Sequence, residues 1–195
     1  MKKAGKLIKL YLLWIICSVP IITIGASTTA MFYVSMKEKR GEEVNVSEDF
    51  YKSFRLNFKQ ATLLWVIIAA VGTAVFAILF KAFSIDGNFS RLAEVLSAVL
   101  TLFYVIAILY VFPILARYDN TILKTVRFSI AVASVNFGST AAFVVLLAAE
   151  AVTIYMLPAL AILWVLIGNP LIANYMSKTC VEIFASAAKK EDSQE

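Results

Sequence analysis

The chain alternates long runs without charge with short connections that are rich in lysine and arginine. Five runs, of 27, 21, 22, 22 and 27 residues, contain no Asp, Glu, Lys or Arg. These runs cover residues 10–36, 60–80, 95–116, 128–149 and 151–177. Each reaches the roughly 20 residues that a helix needs to cross a hydrocarbon layer of about 30 Å. Because the alternating segments of a membrane β-barrel are absent, the pattern predicts an all-α polytopic membrane bundle.

Composition agrees with this prediction and limits the chemistry. Of the 195 residues 61% are apolar and 16% are charged, whereas soluble domains are nearer half apolar and a quarter charged. The chain has no histidine and two distant cysteines, Cys17 and Cys180, so it lacks the commonest general base and metal ligand. It also lacks phosphate-binding and nucleophile-elbow motifs. We therefore predict no catalytic residue, no metal and no cofactor.

The positions of the basic residues predict the orientation. With four crossings over the later runs, segments 37–59 and 117–127 and the C-terminus lie on one side with 12 basic residues, against 2 on the other. The positive-inside rule makes the first side cytoplasmic. The excess of basic residues, 18 against 13 acidic ones, is then explained by the membrane topology and by attraction to anionic lipid. Nucleic acid is not expected as a partner.

The first charge-free run predicts a broken helical hairpin. Pro20 and Gly25 interrupt it, since proline cannot donate an interior helical bond and glycine often ends a helix. Arms at about 4–19 and 26–40 keep the N-terminal lysines cytoplasmic, although each arm is short for a full span and is also compatible with a re-entrant segment. The alternative is a cleaved signal peptide, which the apolar residues up to position 36 disfavour.

Residues 47–59 are predicted to form an amphipathic cytoplasmic helix that lies in the membrane interface. Ser47 is placed as its N-cap. One face carries rings, which are predicted to lie in the acyl boundary, and another, about 120° away, carries cations that are predicted to face phosphate. The rings are Phe50, Tyr51, Phe54 and Phe58, and the cations are Lys52, Arg55 and Lys59. The alternative is that these residues only cap the next crossing.

Two partitions are compatible with residues 121–177. One has crossings at 128–149 and about 153–175, with Glu150 at the outer turn. The other has an interfacial helix at 121–135, a break at 136–139 and an outer turn at 156–158, which puts Glu150 inside the membrane. We favour the second because Asn, Gly and Pro punctuate helices. An intramembrane carboxyl is a candidate functional site, while an acid at the outer interface would be ordinary.

The end of the third crossing is a candidate partner-facing platform. Arg117 and Asp119 follow a proline-containing turn; alternatively, Arg117 extends to phosphate and Asp119 caps the next helix. The whole of 1–184 is predicted to be one membrane domain, and 185–195 a polar cytoplasmic tail.

Three segments resemble the YesL-like family of small bacterial integral membrane proteins. They are Leu13-Trp14 with Pro20-x-x-Thr23-x-Gly25-Ala26, Phe50-x-x-x-Phe54-x-x-Asn57-Phe58-x-Gln60, and Phe112-Pro113-x-Leu115-Ala116-Arg117-Tyr118. Members are often encoded beside carbohydrate-uptake ABC transporters, so the resemblance implies an accessory role in sugar import. It implies no catalytic or ligand-binding residue.

We accordingly expect a non-enzymatic accessory or assembly subunit of a carbohydrate ABC importer. It would lie in the bacterial cytoplasmic membrane with both termini in the cytoplasm, and its partners would be the lipid bilayer and importer subunits. The alternatives are a small permease or channel that uses Glu150 and, less favoured, a membrane-bound enzyme. The sequence predicts neither a sugar nor an oligomeric state.

Overall fold

A computed structural model describes residues 3–84, 90–160, 164 and 168–192. Within these residues the chain is helical and has no strand. Short 3₁₀ helices at Ile21–Thr23 and Pro158–Leu160 accompany the α-helices. The α-helices are α1 (Lys3–Ser18), α2 (Ile24–Lys39), α3 (Val46–Ala82), α4 (Ser90–Leu109), α5 (Val111–Arg117), α6 (Ile122–Val135), α7 (Phe137–Met156) and α8 (Asn169–Asp192).

The four prolines stand where helical segments begin. Pro20 precedes the first 3₁₀ helix and Pro158 begins the second; Pro170 lies in the first turn of α8. Pro113 lies in the first turn of α5 and cannot donate to the carbonyl of Leu109 four residues earlier. The missing bond explains why α4 ends at Leu109 and a new helix begins after Tyr110.

Three helical segments are long and apolar enough to cross a membrane. They are Val46–Ala82, Ser90–Arg117 (α4 with α5) and Phe137–Met156. Only 17%, 17% and 11% of the residues in their most apolar stretches are buried. Side chains such as Phe76, Phe80 and Phe103 are each 67% exposed, and so much uncovered apolar surface identifies a membrane protein. The predicted fourth crossing includes residues 161–163 and 165–167, which lie outside the described residues.

Helix α2 lies at the centre of the bundle. It contacts α1, α3, α5 and α8, and Ala26, Ala30, Val34 and Met36 on it are at most 2% exposed. Its small residues allow close approach of neighbouring backbones. This helix therefore holds together elements that come from both halves of the chain.

The structure corrects the role assigned to Gly25. The chain interruption lies at Val19–Thr23, where the Thr23 hydroxyl is 2.6 Å from the carbonyl oxygen of Cys17. Gly25 is instead the second residue of α2. A Cβ atom there would collide with the carbonyl oxygen of Ala61 and lie 2.7 Å from the Cβ of Trp65. Its function is close packing of α2 on α3, not a turn.

Helices α1 and α2 pack against each other across this interruption. Trp14 of α1 donates a hydrogen bond of 3.2 Å to the Thr28 hydroxyl of α2. Leu10 of α1 belongs to the same buried cluster as Met36 of α2. That the pair forms a hairpin within the membrane stays a prediction.

Residues 47–59 are helical as predicted, but they do not form a short helix of their own, because α3 runs without a break from Val46 to Ala82. Their location in the membrane interface stays a prediction. No proline or glycine occurs between residues 46 and 71, so the change from polar to apolar at position 60 does not interrupt the backbone. The N-cap is Asn45, not Ser47. Asp49 explains the earlier start, because its carboxylate accepts a hydrogen bond of 3.0 Å from the Asn45 N–H.

Of the two partitions considered for residues 121–177, the second is closer to the helix bounds, although the break is Asn136 alone and residues 137–139 already belong to α7. Helix α6 ends at Val135, α7 begins after Asn136, and α7 ends before Leu157. The Thr140 hydroxyl bridges the break, 3.0 Å from the carbonyl oxygen of Ala133. Helix α6 packs on α4 and α5, and its location in the membrane interface stays a prediction. Helix α8 continues through position 185, so the boundary of the polar tail also stays a prediction.

We expect Gly25→Ala to lower the thermal stability of the purified protein in mild detergent. The added methyl group would force α2 away from α3, and such overpacking costs about 1–3 kcal/mol. Circular dichroism melting would measure the loss.

Gly138→Ala is the matched control. Gly138 is the second residue of α7, and a Cβ there would meet nothing within 4 Å. It should leave the melting temperature unchanged or slightly raised, because alanine favours helix. Equal melting temperatures for the two variants would contradict the close contact at Gly25.

Candidate functional site

One end of the bundle, called here the basic end, brings together charged connections from several parts of the chain. Between α2 and α3, Lys37 Nζ lies 2.8 Å from Asp49 Oδ1. This hydrogen bond, with the charge of Asp49, raises the pKa of Lys37. Asp49 is only 8% exposed, so the pair fixes the end of α2 to the start of α3.

Arg117 lies at this same end. Arg40 pairs with Glu42, and the hydrogen bond from Arg40, followed by the charges of Arg40, Lys37 and Arg117, lowers the pKa of Glu42. Arg117 is thus close enough to influence the connection between α2 and α3, although its own side chain is exposed. The arrangement gives Arg117 an acidic neighbour that the sequence pattern did not indicate.

The segment that follows Arg117 is fixed from two sides. Tyr118 packs its ring against Phe128 of α6 and Phe184 of α8, with both ring centroids 5.5 Å away. Gln60 of α3 donates a hydrogen bond to the carbonyl oxygen of Asn120. Asp119, between these anchors, is exposed, so Arg117 and Asp119 stand on a rigid support.

The basic face of α3 occupies its first four turns. Lys52, Arg55 and Lys59 are all exposed and fall within about 60° of one another at 100° per residue. Leu56 on the same surface is 75% exposed. Shallow depressions with Arg55 and Leu56 in common lie on this surface. The structure thus brings these three cations together, while the charge of Arg117 acts on Glu42 of the α2–α3 connection.

The aromatic residues of this segment divide between core and surface, which corrects the prediction that all four rings face lipid. Phe50 is fully buried, and Phe54 stacks on it at a centroid distance of 6.2 Å. Tyr51 and Phe58 are 43% and 38% exposed. Phe50 points inward because it lies on the same face of α3 as Ala61 and Ile68, which are buried.

Glu150 lies well inside α7, thirteen residues after Phe137. It is partly exposed, and the side chain of Asn169, at the start of α8, lies beside it. The sequence indicated Glu150 but not this neighbour, because Asn169 is distant in the chain and resembles an ordinary helix cap.

A cavity of about 290 Å³ adjoins this pair between α1, α2, α7 and α8. Asn169 contributes to its wall, as does Leu147, one turn before Glu150. Its lining is mostly apolar, with polar atoms from Trp14 and Thr28. The hydroxyl of Tyr11 donates to the carbonyl oxygen of Pro170 at one edge. Such a space fits an apolar group with one polar end.

The described part of the chain contains no candidate metal site and no disulfide. No three of its His, Cys, Asp and Glu side chains are grouped so as to hold a metal ion. Cys17 and Cys180 are free thiols, and Cys180 is fully buried.

Comparison with known proteins gives a match over the first three helices. Residues 7–79 match a family described as "Protein of unknown function, DUF624". No curated protein and no solved structure matches the chain. Over α1 to α3, this protein therefore resembles a family whose function has not been determined.

Proposed function

We propose that this protein is a non-enzymatic accessory or assembly subunit of a carbohydrate ABC importer in the bacterial cytoplasmic membrane. The resemblance to the YesL-like family supplies the kind of partner, and the family match over residues 7–79 is consistent with that resemblance. The chain has no nucleotide-binding loop, so ATP hydrolysis belongs to the importer.

The observation that carries this proposal is the uncovered apolar surface of the three candidate spans. Fewer than a fifth of the residues in their most apolar stretches are buried within the chain. Exposed small residues at four-residue spacing, Ala70 and Ala74 of α3, permit a partner helix to approach closely. At the basic end, Arg117 and Asp119 offer charges on a rigid support to cytoplasmic parts of the importer.

The topology that we propose has an N-terminal hairpin, four crossings and both termini in the cytoplasm. The distribution of 12 basic residues against 2 supports it. The Gln60–Asn120 hydrogen bond and the Tyr118–Phe184 contact provide independent support, because they bring the first part of α3, the α5–α6 connection and α8 together as this topology requires.

Tagged protein purified in mild detergent should carry importer subunits with it. We expect Arg117→Gln to reduce their recovery several-fold, because it removes an exposed charge at the proposed docking end. Quantitative mass spectrometry of the eluate measures the ratio.

Lys178→Gln is the control, since Lys178 forms only an exposed pair with Glu182 within α8, and such pairs contribute little. Its recovery of importer should match that of the unmodified protein. If the protein is recovered alone while the importer stays intact, the accessory role is wrong.

Cysteine labelling tests the topology separately. Single cysteines at positions 4, 47, 88 and 193, in a Cys17→Ser/Cys180→Ala background, would be treated with a membrane-impermeant maleimide on intact cells. Only the cysteine at position 88 should react. External labelling at position 4 would contradict the hairpin, and external labelling at 47 the orientation.

A small permease or channel is the second candidate, and the position of Glu150 favours it. Glu150 lies thirteen residues, or about 20 Å, from the start of α7 and six residues, or about 9 Å, from its end. A crossing formed by α7 would therefore carry this carboxyl below the outer membrane surface. The cavity of about 290 Å³ beside Asn169 offers space near this carboxyl.

Flux into liposomes that contain the purified protein distinguishes this candidate. A permease should pass sugar, ions or protons, and Glu150→Gln should abolish that flux. Glu182→Gln, on the exposed face of α8, should not. Absence of flux for all three classes of solute would rule the permease out.

A further inference from the structure

The first four turns of α3 present a surface that carries positive charges beside exposed apolar side chains. Lys52, Arg55 and Lys59 form its centre. Leu56 flanks them on one side and Tyr51 and Phe58 flank them on the other, as the angular positions at 100° per residue show. All three flanking side chains are substantially exposed.

The three cations have no carboxylate within 4 Å among the described residues. The ion pairs found there are Lys37–Asp49, Arg40–Glu42 and Lys178–Glu182. Two acids are near this surface in the sequence. Asp49 pairs with Lys37, and Glu48, which lines the same depression as Lys52 and Arg55, accepts a hydrogen bond of 3.1 Å from the Asn45 side chain. Three cations against this one carboxylate leave the surface with a net positive charge that can attract an external anion.

Because α3 is continuous, the position of this surface relative to the hydrocarbon layer follows from the helix rise. Lys59 directly precedes the charge-free stretch 60–80, and Lys52 stands eight residues before Gln60, or about 12 Å along the axis. The polar layer on each side of the hydrocarbon is about 5–8 Å thick. The backbone at Lys59 and Arg55 is thus at the level of the headgroups. Lys52 lies a few ångströms beyond the headgroups, which stay within reach of its long side chain.

We propose that the basic face of α3 binds the headgroups of anionic phospholipids in the leaflet next to the basic end. The phosphate groups pair with Lys52, Arg55 and Lys59, while Leu56 and Phe58 contact the glycerol and ester region between the headgroups and the acyl chains. An acidic protein segment could neutralise the same cations. The position of Arg55 and Lys59 directly beside the charge-free stretch favours lipid, because it places both cations at the level of the lipid phosphates.

The test uses the full-length protein in nanodiscs of phosphatidylcholine with increasing fractions of phosphatidylglycerol. An environment-sensitive fluorophore is attached through Leu56→Cys in the Cys17→Ser/Cys180→Ala background. We expect its emission to shift as phosphatidylglycerol increases. In a Lys52→Gln/Arg55→Gln/Lys59→Gln variant the shift should fall at least about fivefold, because each cation near an anionic surface contributes to binding.

A variant with the same change in net charge is the matched control. Lys124→Gln/Arg127→Gln/Lys178→Gln removes three other exposed cations and should retain the shift. Thermal melting of both variants verifies that they fold. A preserved shift in the first variant, or an equal loss in the second, would overturn the proposal.

Two further measurements identify the source of the anion. Inorganic phosphate added to phosphatidylcholine nanodiscs should cause no shift, and a phosphate response equal to that of phosphatidylglycerol would assign a soluble anion instead. Absence of any response to phosphatidylglycerol in the labelled protein, together with a response to an acidic peptide, would assign the surface to a protein partner. The outcome is independent of whether an importer co-purifies.

Discussion

The close approach of α2 to α3 at Gly25 is the contact on which the bundle depends. With no Cβ at this position, the backbone of α2 comes against the carbonyl of Ala61, and Ala26 and Ala30 continue the small surface along α2. In a membrane, burial of apolar side chains contributes little to helix association, because lipid is equally apolar, so van der Waals contact must hold the helices together. Since α2 also contacts α1, α5 and α8, this one approach helps to set the positions of three further helices.

The polar end of the bundle complements that packing. The Lys37–Asp49 pair fixes the turn between the two closely packed helices. The Tyr118 ring and the Gln60 amide fix the α5–α6 connection. The molecule thus combines small-residue packing between α2 and α3 with charged and aromatic contacts at one end of the bundle. These contacts also fix the backbone positions of Arg117 and Asp119.

The sequence was sufficient for the helical class and for three candidate spans, because long charge-free runs have few alternatives in lipid. It also located the breaks at Asn136 and at Leu157, where asparagine and the following Pro158 disfavour helix. The sequence wrongly indicated a helix boundary at position 60, because the polarity of the residues changes there while their helix propensity does not. It also failed at Gly25, where the pattern is the same for a turn and for a close helix contact. The neighbours of Glu150 and Arg117 depend on tertiary structure, so Asn169 and Glu42 had no local signal.

The unbroken length of α3 has a mechanical consequence. Its 37 residues extend about 55 Å, against a hydrocarbon layer of about 30 Å. The segment below position 60 therefore acts as a rigid lever about 21 Å long, and a 10° change in the tilt of the span would move its tip by about 4 Å. Transmembrane helices adjust their tilt to the thickness of the bilayer. Because the tip is attached to α2 through Asp49, a change in bilayer thickness would act as a shearing force on the central helix of the protein.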